Sequence, residues 1–151
     1  MSPPGQRDPG DLVQCYFALL SGDPAVEPDE ILSAGFVFHH PPLTPPAGWV
    51  GRDTFLARAL TVTRAAFPDM RFEIADLIVD GDRAAARWMM HATHHGAYLG
   101  VPPTGRSVAV TGMNIFHVEA GRIVATWVAR DTYGLLTQLG HLPAPPSQPS
   151  P

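Results

Sequence analysis

Four extended stretches dominate the second half of the chain and constrain its fold more than any other feature. "MRFEIADLIV" and "RAAARWMMHATH" flank Asp80-Gly81-Asp82, and "SVAVTGMNIFHV" and "RIVATWVARD" flank Glu119-Ala120-Gly121. An Asp-Gly pair between two such runs is a strong hairpin signal, because these residues tolerate the positive backbone angles of a tight turn. The spacing predicts four long antiparallel strands from residue 69 onward.

The first half reads differently. "DLVQCYFALLSGD" sets Leu12, Val13, Tyr16, Leu19 and Leu20 at helical spacing, with Asp11 as N-cap and Gly22 as a stop. "PDEILSAG" predicts a short second helix, "FVFHH" an extended segment and "PPLTPPAGW" a mobile loop. "GRDTFLARALTVTRAAF" aligns Phe55, Leu56, Ala59, Val62, Thr63 and Ala66 along one face. This third helix ends at Pro68, which disfavours helix in the residue before it. The predicted class is α+β: three helices packed on a strongly curved antiparallel sheet, a cone-shaped barrel enclosing a pocket for a small ligand.

A length of 151 residues suits one domain, read as residues 10–140. Residues 1–9 and the Pro-rich 141–151 bury little and are expected to be flexible tails. The formal net charge is −4 and the 10 basic residues are spread without a basic run, so nucleic acid is excluded as a partner. No apolar run approaches the ~20 residues of a membrane span, and the start lacks the apolar core of a secretory signal. The expectation is a cytoplasmic protein with no membrane partner. Cys15 is the single cysteine and reads as a small buried hydrophobe.

"AFPDMRFEI", "GDRAAARW", "THHGAYLGVPPTGR", "GRIVATW" and "DTYGLLTQLG" occur in this order, and together they resemble the SnoaL-like polyketide cyclase family of the nuclear-transport-factor-2-like fold. The resemblance implies a homodimer acting without metal or organic cofactor on hydrophobic polyketide intermediates, its best-known members closing a ring by intramolecular aldol condensation. It also implies a general base seven residues after the glycine of the final hairpin, a position held here by Val128. Thr126 stands where the family often has Glu or His. Gly112, Asn114 and His40 fall on polar pocket positions, Asp131 on an acid common at the strand end, and His94 on a His-x-Gly element.

Valine cannot move a proton, so the chemistry has to come from other side chains. His40 is suited to proton transfer near neutral pH, and lies opposite His39 if "FVFHH" is extended. Asp131 reads either as a helix N-cap or as a carboxylate at the pocket rim. His94 reads either as a hydrogen bond fixing a turn or as a proton partner, and His117 as a surface residue. Asn114 can bind a substrate oxygen. Trp88 and Met90 alternate inward as core or ligand contact, and Trp49 is a candidate lid. On the last strand, alternation groups Val124, Thr126, Val128 and Arg130 on the pocket face. Adjacent His-His pairs in strands diverge, so no metal is expected.

The leading function is therefore a cofactor-independent cyclase that closes a ring by acid/base assistance, through epoxide opening or a similar step rather than ordinary aldol closure. An epoxide hydrolase or other small-molecule hydrolase is the second reading, and a non-catalytic carrier of a hydrophobic ligand the third.

Overall fold

A computed structural model describes residues 6–41 and 43–143 of the protein. Residues 1–5 and 144–151 of the two expected tails lie outside the described residues. Helix α1 (Pro9–Leu20) starts earlier than its sequence pattern implies. Asp8, not Asp11, is the N-cap, its carboxylate accepting the Asp11 amide at 2.9 Å. Pro9 accounts for the shift, since its fixed φ suits the first helical position and it has no N–H to leave unpaired. The buried face comprises Leu12, Val13, Tyr16, Phe17 and Leu19.

Helix α2 (Pro28–Ile31) leads into β1 (Leu32–His39), and β2 (Trp49–Val50) pairs back against β1. Trp49 thus sits on a short strand rather than in a mobile loop. The third helical stretch divides into α3 (Arg52–Phe55), a π-helical turn (Leu56–Leu60) and α4 (Thr61–Ala66). The four expected strands follow as β3 (Arg71–Asp80), β4 (Arg83–Thr93), β5 (Ser107–Glu119) and β6 (Arg122–Arg130), with α5 (Thr132–Gln138) closing the described fold.

The α+β class holds, with a difference in the sheet. Six strands run in the order β2-β1-β6-β5-β4-β3, and β1 lies parallel to β6 with Phe38 opposite Thr126. The sheet is therefore mixed rather than wholly antiparallel, and it stays open instead of closing into a barrel. Tight turns specify only the neighbours they join. The β1–β6 contact spans most of the chain and has no local signal.

Alternation sends Ala84, Ala86, Trp88, Met90 and Ala92 of β4, and Val108, Val110, Asn114, Phe116 and Val118 of β5, into one core with the helices. A bulge modifies β6: His117 pairs with Ala125, but Val118 pairs with Ile123, leaving Val124 as the extra residue. Thr126, Val128 and Arg130 keep the inward face, whereas at the strand start the inward residue is Ile123, not Val124. Beyond the end of β6, the Gln138 side chain accepts from the Ala109 amide at 2.8 Å and donates to its carbonyl at 2.9 Å. In effect, it continues the ladder along β5.

Candidate functional site

Between the helices and the inner sheet face lies a cavity of about 240 Å³. Tyr16 and Phe17 of α1, Phe38 of β1, Phe55, and Met90 of β4 give it an apolar wall. Among the described residues, the titratable or charged groups in its lining are Tyr16, His40, Arg58, Tyr98 and Arg130, with no carboxylate. Burial raises the Tyr16 phenol well above its ordinary range, which keeps it protonated.

His40 follows the last residue of β1. Its amide donates to Thr44 Oγ1 at 3.0 Å, and its carbonyl accepts from the amides of Leu43 and Thr44, folding the proline loop back on itself. The imidazole lines the cavity, edge-on to Phe38 with ring centres 5.9 Å apart. Burial, and secondly the charge of Arg130, lower its pKa to about 4, so the ring is neutral at neutral pH. His39 lies on the other side of β1 and stacks on Trp127 with ring centres 5.0 Å apart.

On the inner sheet face, Trp88 Nε1 donates to Asn114 Oδ1 at 2.8 Å, Asn114 Nδ2 donates to Thr126 Oγ1 at 2.9 Å, and Thr126 donates to the Ile115 carbonyl at 3.0 Å. An indole N–H can only donate, which fixes the amide orientation. Asn114 lines the cavity with one Nδ2 hydrogen uncommitted, whereas fully buried Thr126 is spent inside the network and does not line it. Gly112 does not line it either. A Cβ there would come within 2.3 Å of the Trp88 ring, so the missing side chain makes room for the indole, which covers this position. Trp88, Met90 and Val128 do line the cavity.

Two of the acid/base candidates lie elsewhere. Asp131 is turned away by strand alternation and caps α5, accepting from the Gly134 amide at 2.8 Å. His94 has no exposed surface and is absent from the cavity lining. Its Nδ1 accepts the Thr104 amide at 3.2 Å and lies 3.0 Å from Thr104 Oγ1, which places the ring hydrogen on Nε2. The amides of His95 and Gly96 donate to the Ala66 carbonyl at the end of α4, and a Cβ on Gly96 would meet the Ala65 oxygen at 2.5 Å. The His-x-Gly element is thus a clamp: the histidine holds the following loop and the glycine lets it approach the helix end. His117 lies at the final hairpin, 3.3 Å from Asp82.

Three cavity groups did not stand out among the candidates. Arg130 shares the inward face with Val128, a placement legible from alternation alone. Its Nη1 donates to the Tyr98 hydroxyl at 2.9 Å, and its guanidinium carbon lies 5.5 Å from the Tyr98 ring centre. Tyr98 comes from the loop after β4, where no periodicity marks an inward position. Arg58 sits on the π-helical turn, 6.0 Å from the centre of the Trp49 ring, which in turn stacks on Phe38. Among the described residues no group of His, Cys, Asp and Glu is arranged to hold a metal ion, and no helix is long and apolar enough to cross a membrane.

The family model for SnoaL-like polyketide cyclases matches residues 11–139. Among solved structures, TsrD from Streptomyces laurentii is 31% identical, covering 87% of this chain and 94% of its own, with a TM-score of 0.76. IdmH from Streptomyces antibioticus, assigned to the polyketide cyclases, is 31% identical over 89% of this chain and 99% of its own, with a TM-score of 0.77. AclR from Streptomyces galilaeus, assigned as a hydroxylase, is 25% identical over 90% of this chain and 83% of its own, with a TM-score of 0.73. No curated protein sequence matches the chain.

Proposed function

The chain belongs to the SnoaL-like polyketide cyclase family, and on that premise we propose that it closes a ring in a hydrophobic polyketide-type intermediate, using its own side chains and no cofactor. The observation that carries this reading is a neutral, buried His40 in an apolar cavity that also holds the spare Asn114 amide hydrogen. Holding both ends of one flexible molecule in reacting geometry removes much of the barrier to an intramolecular step.

A pKa near 4 makes His40 a weak base, poorly matched to pulling a proton from carbon but able to take one from a hydroxyl as it attacks. In an epoxide-opening closure, the hydroxyl oxygen bonds to an epoxide carbon, the epoxide C–O bond breaks, and His40 returns the proton to the opened oxygen beside Asn114. Substrate and product have the same composition. Hydrolysis by paired carboxylates is disfavoured, because the cavity lining offers none.

The test is to incubate the protein with linear hydroxy-epoxide and aryl β-ketoester compounds and follow product mass. Ring closure gives an isomer of unchanged mass; gain of water would mean hydrolysis, and binding without conversion would mean a carrier. His40→Gln should lower turnover by about 10²- to 10⁴-fold. Unimpaired turnover in that variant would sink the proposed role.

The same reading extends to assembly as a homodimer through the outer sheet face. There Met113, Ile115 and Trp127 remain 57%, 52% and 41% exposed on adjacent strands, apolar surface that a second copy would cover. Light scattering that returned the mass of a single chain would refute this pairing.

A further inference from the structure

We infer that Arg130 and Tyr98 form a receptor for a carboxylate-like oxyanion, so that the molecule entering this cavity carries a delocalised negative charge at one end. The inference rests on the cavity being the substrate site. Among the described residues no carboxylate lies within 4.0 Å of Arg130, and its neighbour Asp131 is committed to the α5 cap. Arg130 Nε and Nη2 are screened from solvent and have no hydrogen-bond partner, while Nη1 is held by Tyr98. An enclosed cation left without an anion is costly, and a ligand that supplies the anion recovers that cost.

The geometry selects the kind of anion. Nε–H and Nη2–H point along one side of the guanidinium plane and form the fork that matches the two oxygens of a carboxylate or an ionised β-dicarbonyl. Tyr98, on the Nη1 side, fixes the plane. The turn Tyr98–Val101 brings Tyr98 and Leu99 to the same cavity as Arg130, and Leu99 adopts φ +49°, an uncommon angle for a side chain of that size. We take this turn as the part that yields when the anion docks.

The charges around the site agree. Among the described residues, Tyr16 from α1, Arg58 from the π-helical turn, His40 after β1, Tyr98 from the loop after β4 and Arg130 on β6 supply the lining with two fixed cations and no anion. An anion at Arg130 also offsets the cation that helps hold His40 neutral, so an occupied cavity makes His40 a better proton acceptor than an empty one.

The experiment is calorimetric titration of the full chain with naphthoate and with its neutral amide at low salt and neutral pH. The carboxylate should bind on the order of ten- to a hundredfold more tightly, as expected for charge-assisted hydrogen bonds. Arg130→Gln should abolish that preference while leaving amide binding in place, and Arg130→Lys should restore part of it. The wild-type comparison needs no variant and stands even if a substitution disturbs folding. Equal binding of the two compounds, a preference that survives in Arg130→Gln, or binding of neither would overturn the inference. Equal binding would leave the ring-closure reading intact, since it rests on the apolar cavity, His40 and Asn114 and not on Arg130.

Discussion

The two buried histidines lie in regions that use the same side chain in opposite ways. His94, in the turn after β4, has its Nδ1 occupied by Thr104 and its ring against Phe67, with ring centres 5.4 Å apart, and it takes no part in the cavity. His40, after β1, lines the cavity and is bound to its own loop only through its backbone. A histidine whose ring is committed to backbone contributes stability; one whose ring faces an empty space is available for chemistry. Burial alone does not separate them.

The sharpest way to break this contrast is to compare stabilities. His94→Ala should cost roughly 1–3 kcal/mol by urea denaturation, the vacated core volume and the unpaired Thr104 amide outweighing the relief of removing a buried Nε2–H that has no partner. His40→Gln should cost less than about 1 kcal/mol, because no protein partner of the ring is lost. Similar losses in both variants would erase the distinction.

Asp131 extends the contrast to a carboxylate. Asp131→Ala removes the cap of α5 and should lower stability by about 1 kcal/mol while turnover per folded molecule stays within a factor of two. A collapse of turnover at unchanged stability would put this acid back into the chemistry.

A last effect is one of pH. His40 has a folded pKa of about 4 against an ordinary value of 6.5, so between these values the unfolded chain binds more protons than the folded one. Its contribution is complete above the unfolded value and is lost as pH falls from 6.5 towards 4. The slope of unfolding free energy against pH in that window should be shallower in His40→Gln. An unchanged slope would show that His40 is not held neutral by its surroundings.

What could be read from the chain follows from how local each signal is. The β3–β6 meander was legible because Asp80-Gly81-Asp82 and Glu119-Ala120-Gly121 join strands that pair with each other. The parallel β1–β6 contact was not, because residues 32–39 carry nothing that points to residues 123–127. Alternation from Thr126 to Arg130 survived, while the bulge at Val124 reversed the first residues of the same strand. Arg130 and Asp131 show the limit most clearly. Chemistry drew attention to the acid, but successive side chains on a strand point to opposite faces, and the inward place belongs to the arginine.

The Gln138 amide beside Ala109 has a consequence for how copies of the chain behave in a crowded solution. Where β6 stops, β5 would otherwise present an open N–H and C=O, the template on which a foreign strand adds and aggregation begins. A single side chain from the last helix occupies both groups. Loss of that helix would therefore uncover one N–H and one C=O of β5 as well as weaken the fold, the kind of open edge on which a foreign strand pairs.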